Sequence, residues 1–292
     1  MMTMPQALIT SRDPKGLHAV GLFEAAFNKA KLDEYRAQRL NENGGEFQMG
    51  LQELIAKFSL SNQYASEEVR SNYTYPSEYK GPKSIREQVV ILAEAFSLSA
   101  DATLEYLNEM GETMPLPEGA EGLFAIPRWE LVAGSYGTAL EKLLGILASK
   151  RTFYNYREDE LGPEKLRQHV RTSMMLETIC QQQTGDILVI PSQFGMRHRG
   201  RSTRRAREVF NANEFGHGGF AVGCMALTHQ ERFVRWEQLH ADCPGDEFSP
   251  GADGRFSRAP CFHFGDGRLG FGSRVVGYAV DFCGSVSGFL PQ

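Results

Sequence analysis

Residues 261–292 read "CFHFGDGRLGFGSRVVGYAVDFCGSVSGFLPQ". Glycine recurs too often here for a helix, and the aromatic content is too high for a disordered segment. Phe262 and Phe264 alternate with Cys261 and His263, and Phe271 follows further along. Alternation of this kind predicts short strands with long structured loops, the three phenylalanines inward and their neighbours outward. "GDGRLG" (residues 265–270) matches the G-x-G-x-x-G pattern. A dinucleotide site needs a helix directly after that pattern, and "FGSRVVGYAV" has no helical period. The match is accidental.

Working back along the chain, the texture shifts from helical to loop-rich. Residues 17–40 and "LQELIAKFSL" (51–60) read as amphipathic helices, followed by a polar loop over 61–84. "SIREQVVILAEAF" (84–96) is a further helix with Ser84 and Glu87 at capping-box spacing, and a shorter one follows at 99–110. "MPLPEGAEG" (114–122) combines prolines and glycines and reads as a linker, with a boundary near 115–123. This divides the chain into a helical module, residues 1–120, and a second domain, residues 121–292. In the second part "TALEKLLGILAS" (138–149) and "GPEKLRQHVRTSMMLETICQQQ" (162–183) read as helices, the latter with proline in its first turn. "GDILVIPSQ" (185–193) reads as a buried strand and "GGFAVGCMALT" (218–228) as another. "HQERFVRWEQL" (229–239) reads as a surface helix or turn. The fold class expected is α+β.

Composition sets outer bounds. The 292 residues are 41% hydrophobic and 23% charged, which suits a folded core, and the net charge of -5 gives nucleic acid or membrane no general claim. No run is long enough to span a bilayer, and the opening has no basic segment leading into an apolar one. The default compartment is therefore the cytoplasm, with display on a surface or a phage as the alternative. Cys180, Cys224, Cys243, Cys261 and Cys283 form no C-x-x-C pair, so free thiols are expected rather than a disulfide framework.

"RHRGRSTRRAR" holds Arg197, Arg199, Arg201, Arg204, Arg205 and Arg207. Such a run suits phosphate binding, but Glu208 and Glu214 lie beside it and no aromatics interleave, so ion pairing within an acidic chain is the favoured reading. His217, His229, His240 and Cys243 include zinc-ligand types without tight pairing. Asp242, Asp246, Glu247 and Asp253 offer oxygens of the kind calcium takes, without EF-hand spacing. No G-x-S-x-G, Walker or H-E-x-x-H pattern occurs, and the expectation is a protein that is not an enzyme and has no cofactor, calcium being the weak alternative. An enzyme on the same scaffold would use a metal or a reactive thiol, with Cys243 and Cys283 as first suspects.

The tail has one further peculiarity. Lys, Glu, Met, Trp and Gln together make up 61 of the 292 residues, yet the 44 residues from 248 to 291 contain none of them. Loop-rich segments are poor in helix formers, which accounts for part of the deficit but not for the absence of Lys where Arg255, Arg258, Arg268 and Arg274 are retained. Codons ending in a pyrimidine cannot encode any of the five. The segment "APCFHFGDGRLGFGSRVVGYAVDFCGSVSGFLPQ", with a framework of F-x-F, GDGR-x-x-F and a closing "SVSGF", resembles the variable region of diversity-generating retroelement variable proteins. In that family, adenine-directed substitution randomises chosen codons.

The resemblance implies a C-type lectin fold of the formylglycine-generating-enzyme-like kind, with a variable region at about residues 257–285. It also implies a ligand-binding face made of Cys261, His263, Arg268, Gly270, Ser273, Arg274, Val275, Val276, Tyr278, Val280, Asp281, Phe282 and Cys283. Its partner would be a protein or surface ligand, and the helical module would serve as adaptor or oligomerisation element. The rival reading is a nucleic-acid-associated protein that binds through the arginine cluster.

Overall fold

The computed structural model describes residues 10–59, 62–110 and 115–291. The opening nine residues, the start of the expected linker (residue 114) and the terminal Gln292 lie outside them. The chain forms two compact units, Met1–Phe58 and Ser59–Gln292.

The first unit carries helices α1 (Pro14–Ala30), α2 (Glu34–Glu42) and α3 (Gly44–Ser59). Proline at the first turn of α1 and the Asp33 side chain accepting from the Arg36 amide start two of them. No residue of α1 or α2 is buried. Phe23 packs on Phe27 and Phe47 at ring-centroid distances of 6.2 and 6.1 Å.

The second unit is an α+β fold. In chain order it contains α4 (Ile85–Phe96), α5 (Asp101–Met110), β1 (Gly122–Pro127), α6 (Trp129–Val132), α7 (Tyr136–Lys150), β2 (Phe153–Asn155), β3 (Leu166–Gln168), α8 (Val170–Gln182) and β4 (Ile187–Gln193). It continues with α9 (Thr203–Glu208), β5 (Glu214–Gly216), α10 (Gly219–Thr228), β6 (His240–Asp242), β7 (Asp246–Phe248), β8 (Arg258–Gly265), β9 (Arg268–Val275), β10 (Cys283–Ser285) and β11 (Ser287–Phe289). Two sheets form among the described residues. One has the order β1-β4-β11-β5; the other runs β10-β6-β8-β7-β3, with β9 on β8 and β2 on β9.

The expected boundary near 115–123 is not where the chain divides. Val89, Leu92 and Phe96 of α4 are buried in the same core as β1 and α10, with Phe96 5.8 Å from Phe220. Gln88 ties α4 to β1 directly: its amide donates to the Leu123 carbonyl (3.0 Å) and accepts from the Ala125 amide (3.2 Å). α4 and α5 therefore belong to the sheet-bearing unit. The capping box does form, with Ser84 Oγ accepting from the Glu87 amide at 3.3 Å.

Two other expectations are corrected, and a third in part. Residues 218–228 form the helix α10, all of whose residues are buried. A segment apolar on every side carries no period to distinguish helix from strand, and Gly223 admits Leu143 so closely that a Cβ there would lie 2.5 Å from its methyl group. The helix expected from residue 162 starts only at Val170, because Leu166–Gln168 are drawn into pairing with Asp246–Phe248. Residues 229–239 are a surface turn only in part: Gln230, Arg235, Trp236 and Glu237 are exposed, whereas Arg232, Phe233, Gln238 and Leu239 are buried. Arg232 is fully buried, donates to the carbonyls of Leu239 (2.7 Å) and Phe194 (3.1 Å), and lies 4.3 Å from the Tyr75 ring centroid. The strand expected at 187–193 is present and buried along its whole length.

Among the described residues no helix is long and apolar enough to cross a membrane. Among the described residues the buried core runs from Tyr79 to Val286, all within the second unit. A chain of residues 59–292 should therefore unfold in one cooperative transition, followed by circular dichroism on heating. A broad, non-cooperative melt would show that the core needs the first 58 residues.

Candidate functional site

β8 and β9 are joined by a two-residue turn in which Asp266 (φ 51°) and Gly267 (φ 72°) both take the left-handed conformation. This is the Asp-Gly signature of a tight hairpin, in the position where the sequence offered only a false nucleotide motif. Register follows from the turn: Phe262 faces Phe271, and His263 faces Gly270. Phe262, Leu269 and Phe271 are fully buried on one side of the hairpin. The other side carries Cys261, His263, Arg268, Gly270 and Arg274.

Neighbouring strands extend that second side. β6 pairs with β8 so that Asp242 lies opposite Cys261, which brings His240 toward His263 at a centroid distance of 6.1 Å. β2 pairs with β9 and places Tyr154 opposite Gly270. Tyr154 stacks edge-on with Tyr156 at 4.6 Å, and Tyr156 lies 5.6 Å from His263. The Arg268 guanidinium covers the Tyr154 ring at 4.5 Å, and that of Arg274 covers Phe282 at 5.2 Å. Trp236 adjoins both His240 (5.2 Å) and Phe282 (6.2 Å). The product is a continuous aromatic and cationic face on which Tyr154 and Tyr156 are each 45% exposed and Trp236 56%.

The expected face residues divide three ways. Val275, Tyr278 and Asp281 are exposed; His263, Arg268, Ser273, Arg274, Val276 and Phe282 are half-buried. Cys261, Gly270, Val280 and Cys283 are buried and do not present outward as expected. Cys261 is shut in by Asp242 and Arg274, and Cys283 by its pairing with His240. Alternation also puts Ser273 and Val275 on the phenylalanine side of the hairpin. Tyr154, Tyr156 and Trp236 were missed by sequence reasoning, and His240 was weighed only as a metal ligand. The only signal was the alternation of Tyr154 and Tyr156 around Asn155.

The floor of this face holds polar groups without partners. Oδ1 of Asp242 and Oγ of Ser285 are buried without a hydrogen-bond partner, while His240 interacts with the Trp236 backbone and Arg274 with Cys261. Arg274 Nε approaches Asp242 Oδ1 only to 3.6 Å. Burial pushes Asp242 up to about 6 although Arg274 pulls it down, and burial together with neighbouring His263 pushes His240 down to about 3. The face thus offers the half-buried guanidiniums of Arg268 and Arg274 to a ligand, above a buried unprotonated imidazole and a buried carboxyl poised near neutrality.

The other candidates resolve into structure. Arg197 pairs with Glu214 (3.4 Å), Arg201 with Glu68 (3.4 Å), Arg204 with Glu67, and Arg205 with both Glu68 (2.5 Å) and Glu208 (2.8 Å). Arg199 donates to the Tyr73 carbonyl and Arg207 to those of Pro244 and Asp246. All six guanidiniums of the basic run are therefore engaged by the chain itself. The four carboxylates weighed for calcium go separate ways: Asp242 faces Arg274, Asp246 meets Tyr136, Glu247 pairs with Arg167 and Asp253 with Arg255. Among the described residues no group of three or more His, Cys, Asp or Glu side chains is placed to hold a metal ion. Cys243 and Cys283 are fully buried, and burial raises both thiols, the opposite of an activated nucleophile.

Comparison with family models, curated proteins and solved structures returns no match. The reading of the chain therefore rests on its own geometry.

Asp242 supplies a test of the electrostatics. Its folded value of about 6 lies above the ordinary carboxyl value, so its contribution to stability is fully present below that ordinary value and is lost as pH rises through about 6. Asp242→Asn, which cannot ionise, should stabilise the fold by roughly 2–3 kcal/mol near pH 8 and by nothing near pH 3.5. Urea unfolding at the two pH values measures this, and an equal effect at both would contradict the assignment.

Proposed function

We propose that the chain is a non-catalytic ligand-binding protein of the kind encoded beside diversity-generating retroelements, with the β8–β9 face and the 276–282 loop as its interchangeable surface. One observation carries the reading: the loop is held by its backbone. The Val276 carbonyl accepts from the Arg204 amide (3.0 Å) and the Val276 amide donates to Ser257 (3.0 Å). The Phe282 carbonyl accepts from the His240 amide (2.8 Å) and that of Cys283 from Gly200 (2.9 Å). Peptide groups are common to every residue but proline, so a loop anchored this way keeps its course while its side chains change. Beneath it, Phe262 and Phe271 pack at 5.0 Å and supply stability from positions the surface does not use.

The chemistry of the face suits binding. Tyr, Trp and Arg dominate binding hot spots because they bury large areas at low entropic cost and still offer hydrogen bonds. The absence of Lys, Glu, Met, Trp and Gln from residues 248–291 covers this same segment. The three-residue strands β5, β6, β7, β10 and β11, with irregular ordered segments over residues 249–257 and 276–282, support a C-type-lectin-like assignment for the sheet-bearing unit.

Two measurements test the reading. Simultaneous replacement of His263, Arg268, Tyr278, Asp281 and Phe282 by mixed residues should leave the melting temperature within a few degrees, whereas Phe262→Ala should cost about 3–5 kcal/mol. Loss of folding across the outward library would remove the premise of a tolerant face. In the genome, the coding bases of the tail should have a near-copy beside a reverse transcriptase gene, differing where that copy carries adenine. Differences scattered without regard to adenine would overturn the retroelement assignment.

A further inference from the structure

A cleft of about 480 Å³ opens among α6, the start of α7, α8 and the junction of β5 with α10, and none of its lining residues belongs to the face described above. Trp129, Leu176 and Phe220 give it an apolar wall, and Trp129 stands edge-on to Tyr136 at 5.7 Å. Cavities of this size, apolar with a few placed polar groups, are the usual form of small-molecule sites.

Three features specify the ligand. His217 lines the cleft and is fully buried, with Nε2 2.8 Å from Ser192 Oγ. The Ser192 hydroxyl donates to the Ile190 carbonyl at 3.1 Å, and a hydroxyl has one hydrogen to give. With the Ser192 hydrogen on the Ile190 carbonyl, His217 carries its proton on Nε2 and donates it to Ser192, and Nδ1 is then a bare acceptor. That Nδ1 is buried and has no partner. At the rim, Glu130 and Glu177 are both exposed, and neither forms a salt bridge among the described residues. Arg128, the one cation in the lining, is occupied: its guanidinium donates to the carbonyls of Gly185 (2.9 Å), Cys180 (3.0 Å) and Gln183. The cleft thus has an apolar wall, an unsatisfied polar nitrogen and two unpaired carboxylates against the single cation Arg128, whose guanidinium is turned to carbonyls, so its charge balance is negative.

The geometry points to a binding site for a small aromatic amine bearing a ring N–H, with the ring on the Trp129–Phe220 wall, the N–H on His217 Nδ1 and the ammonium beside Glu130 and Glu177. A neutral hydrocarbon would leave the buried acceptor unpaired, and an anion would meet the two carboxylates. This inference is independent of the retroelement reading, since it uses no residue of the variable face.

Titration calorimetry of the full chain with tryptamine tests it. Tryptamine should bind saturably. Phenethylamine, which lacks the ring donor, and indole-3-propionate, which reverses the charge, should each bind about tenfold more weakly. The double substitution Glu130→Gln and Glu177→Gln, at exposed positions that leave the core intact, should weaken tryptamine about fivefold to tenfold, and high salt should remove the difference. His217→Phe should abolish the preference for tryptamine over phenethylamine; if that chain does not fold, the glutamine variant decides. No saturable binding of tryptamine, equal binding of the three compounds, or unchanged affinity in the glutamine variant would overturn the proposal.

Discussion

The sheet-bearing unit depends on a seven-residue strap, residues 283–289, that crosses from one sheet to the other. Cys283–Ser285 pair in parallel with His240–Asp242 in the larger sheet, and Ser287–Phe289 enter the smaller one between β4 and β5. Val286 sits at the crossing, its amide donating to Asp242 and its carbonyl accepting from His217, each at 3.0 Å. Buried side chains lock the strap in place. Gln193 donates to the Ser285 carbonyl (2.8 Å) and Ser287 Oγ (2.9 Å), while Ser287 donates to Glu214 (2.6 Å), which is also 2.7 Å from His198 Nε2. A Cβ at Gly284 would lie 2.1 Å from the Gly195 carbonyl oxygen, so no other residue fits there.

This strap sets the position of the ligand face. It fixes β10 beside β6, which aligns His240 and Asp242 with β8, and it delivers the 276–282 loop to the same edge. The framework residues of the tail and its outward residues therefore do different jobs within one short segment. Burial and backbone pairing hold the first set, and solvent receives much of the second. The cost appears in the floor of the face, where Asp242 and Ser285 give up hydrogen bonds that water would otherwise provide.

What the sequence disclosed and what it withheld follow from the range of the interactions. Alternation in residues 261–264 reported the inward phenylalanines because strand periodicity is local. The run at 187–193 was legible because turn residues bound it on both sides. The ion pairs of Arg197 and Arg205 with Glu214 and Glu208 were legible as short-range neighbours, but Glu67 and Glu68 reach the same cluster from more than 130 positions away. α10 was misread because total burial erases amphipathic contrast. Tyr154, Tyr156, Trp236 and His240 join the face through strand and loop contacts that no local pattern encodes. The linker residues near 115–123 have the composition of a boundary, yet Gln88 bridges across them to β1.

The position of β11 within its sheet has a consequence for synthesis. β4 and β5 are neighbours in sequence but not in space, since the strap lies between them. The smaller sheet cannot close until residues 287–289 have been made and have left the ribosome, so β1, β4 and β5 wait as an incomplete layer until then. Non-local closure of this kind slows folding and exposes unpaired strand edges. A nascent chain stalled upstream of the strap would be a substrate for chaperones, while emergence of the strap would let the smaller sheet close.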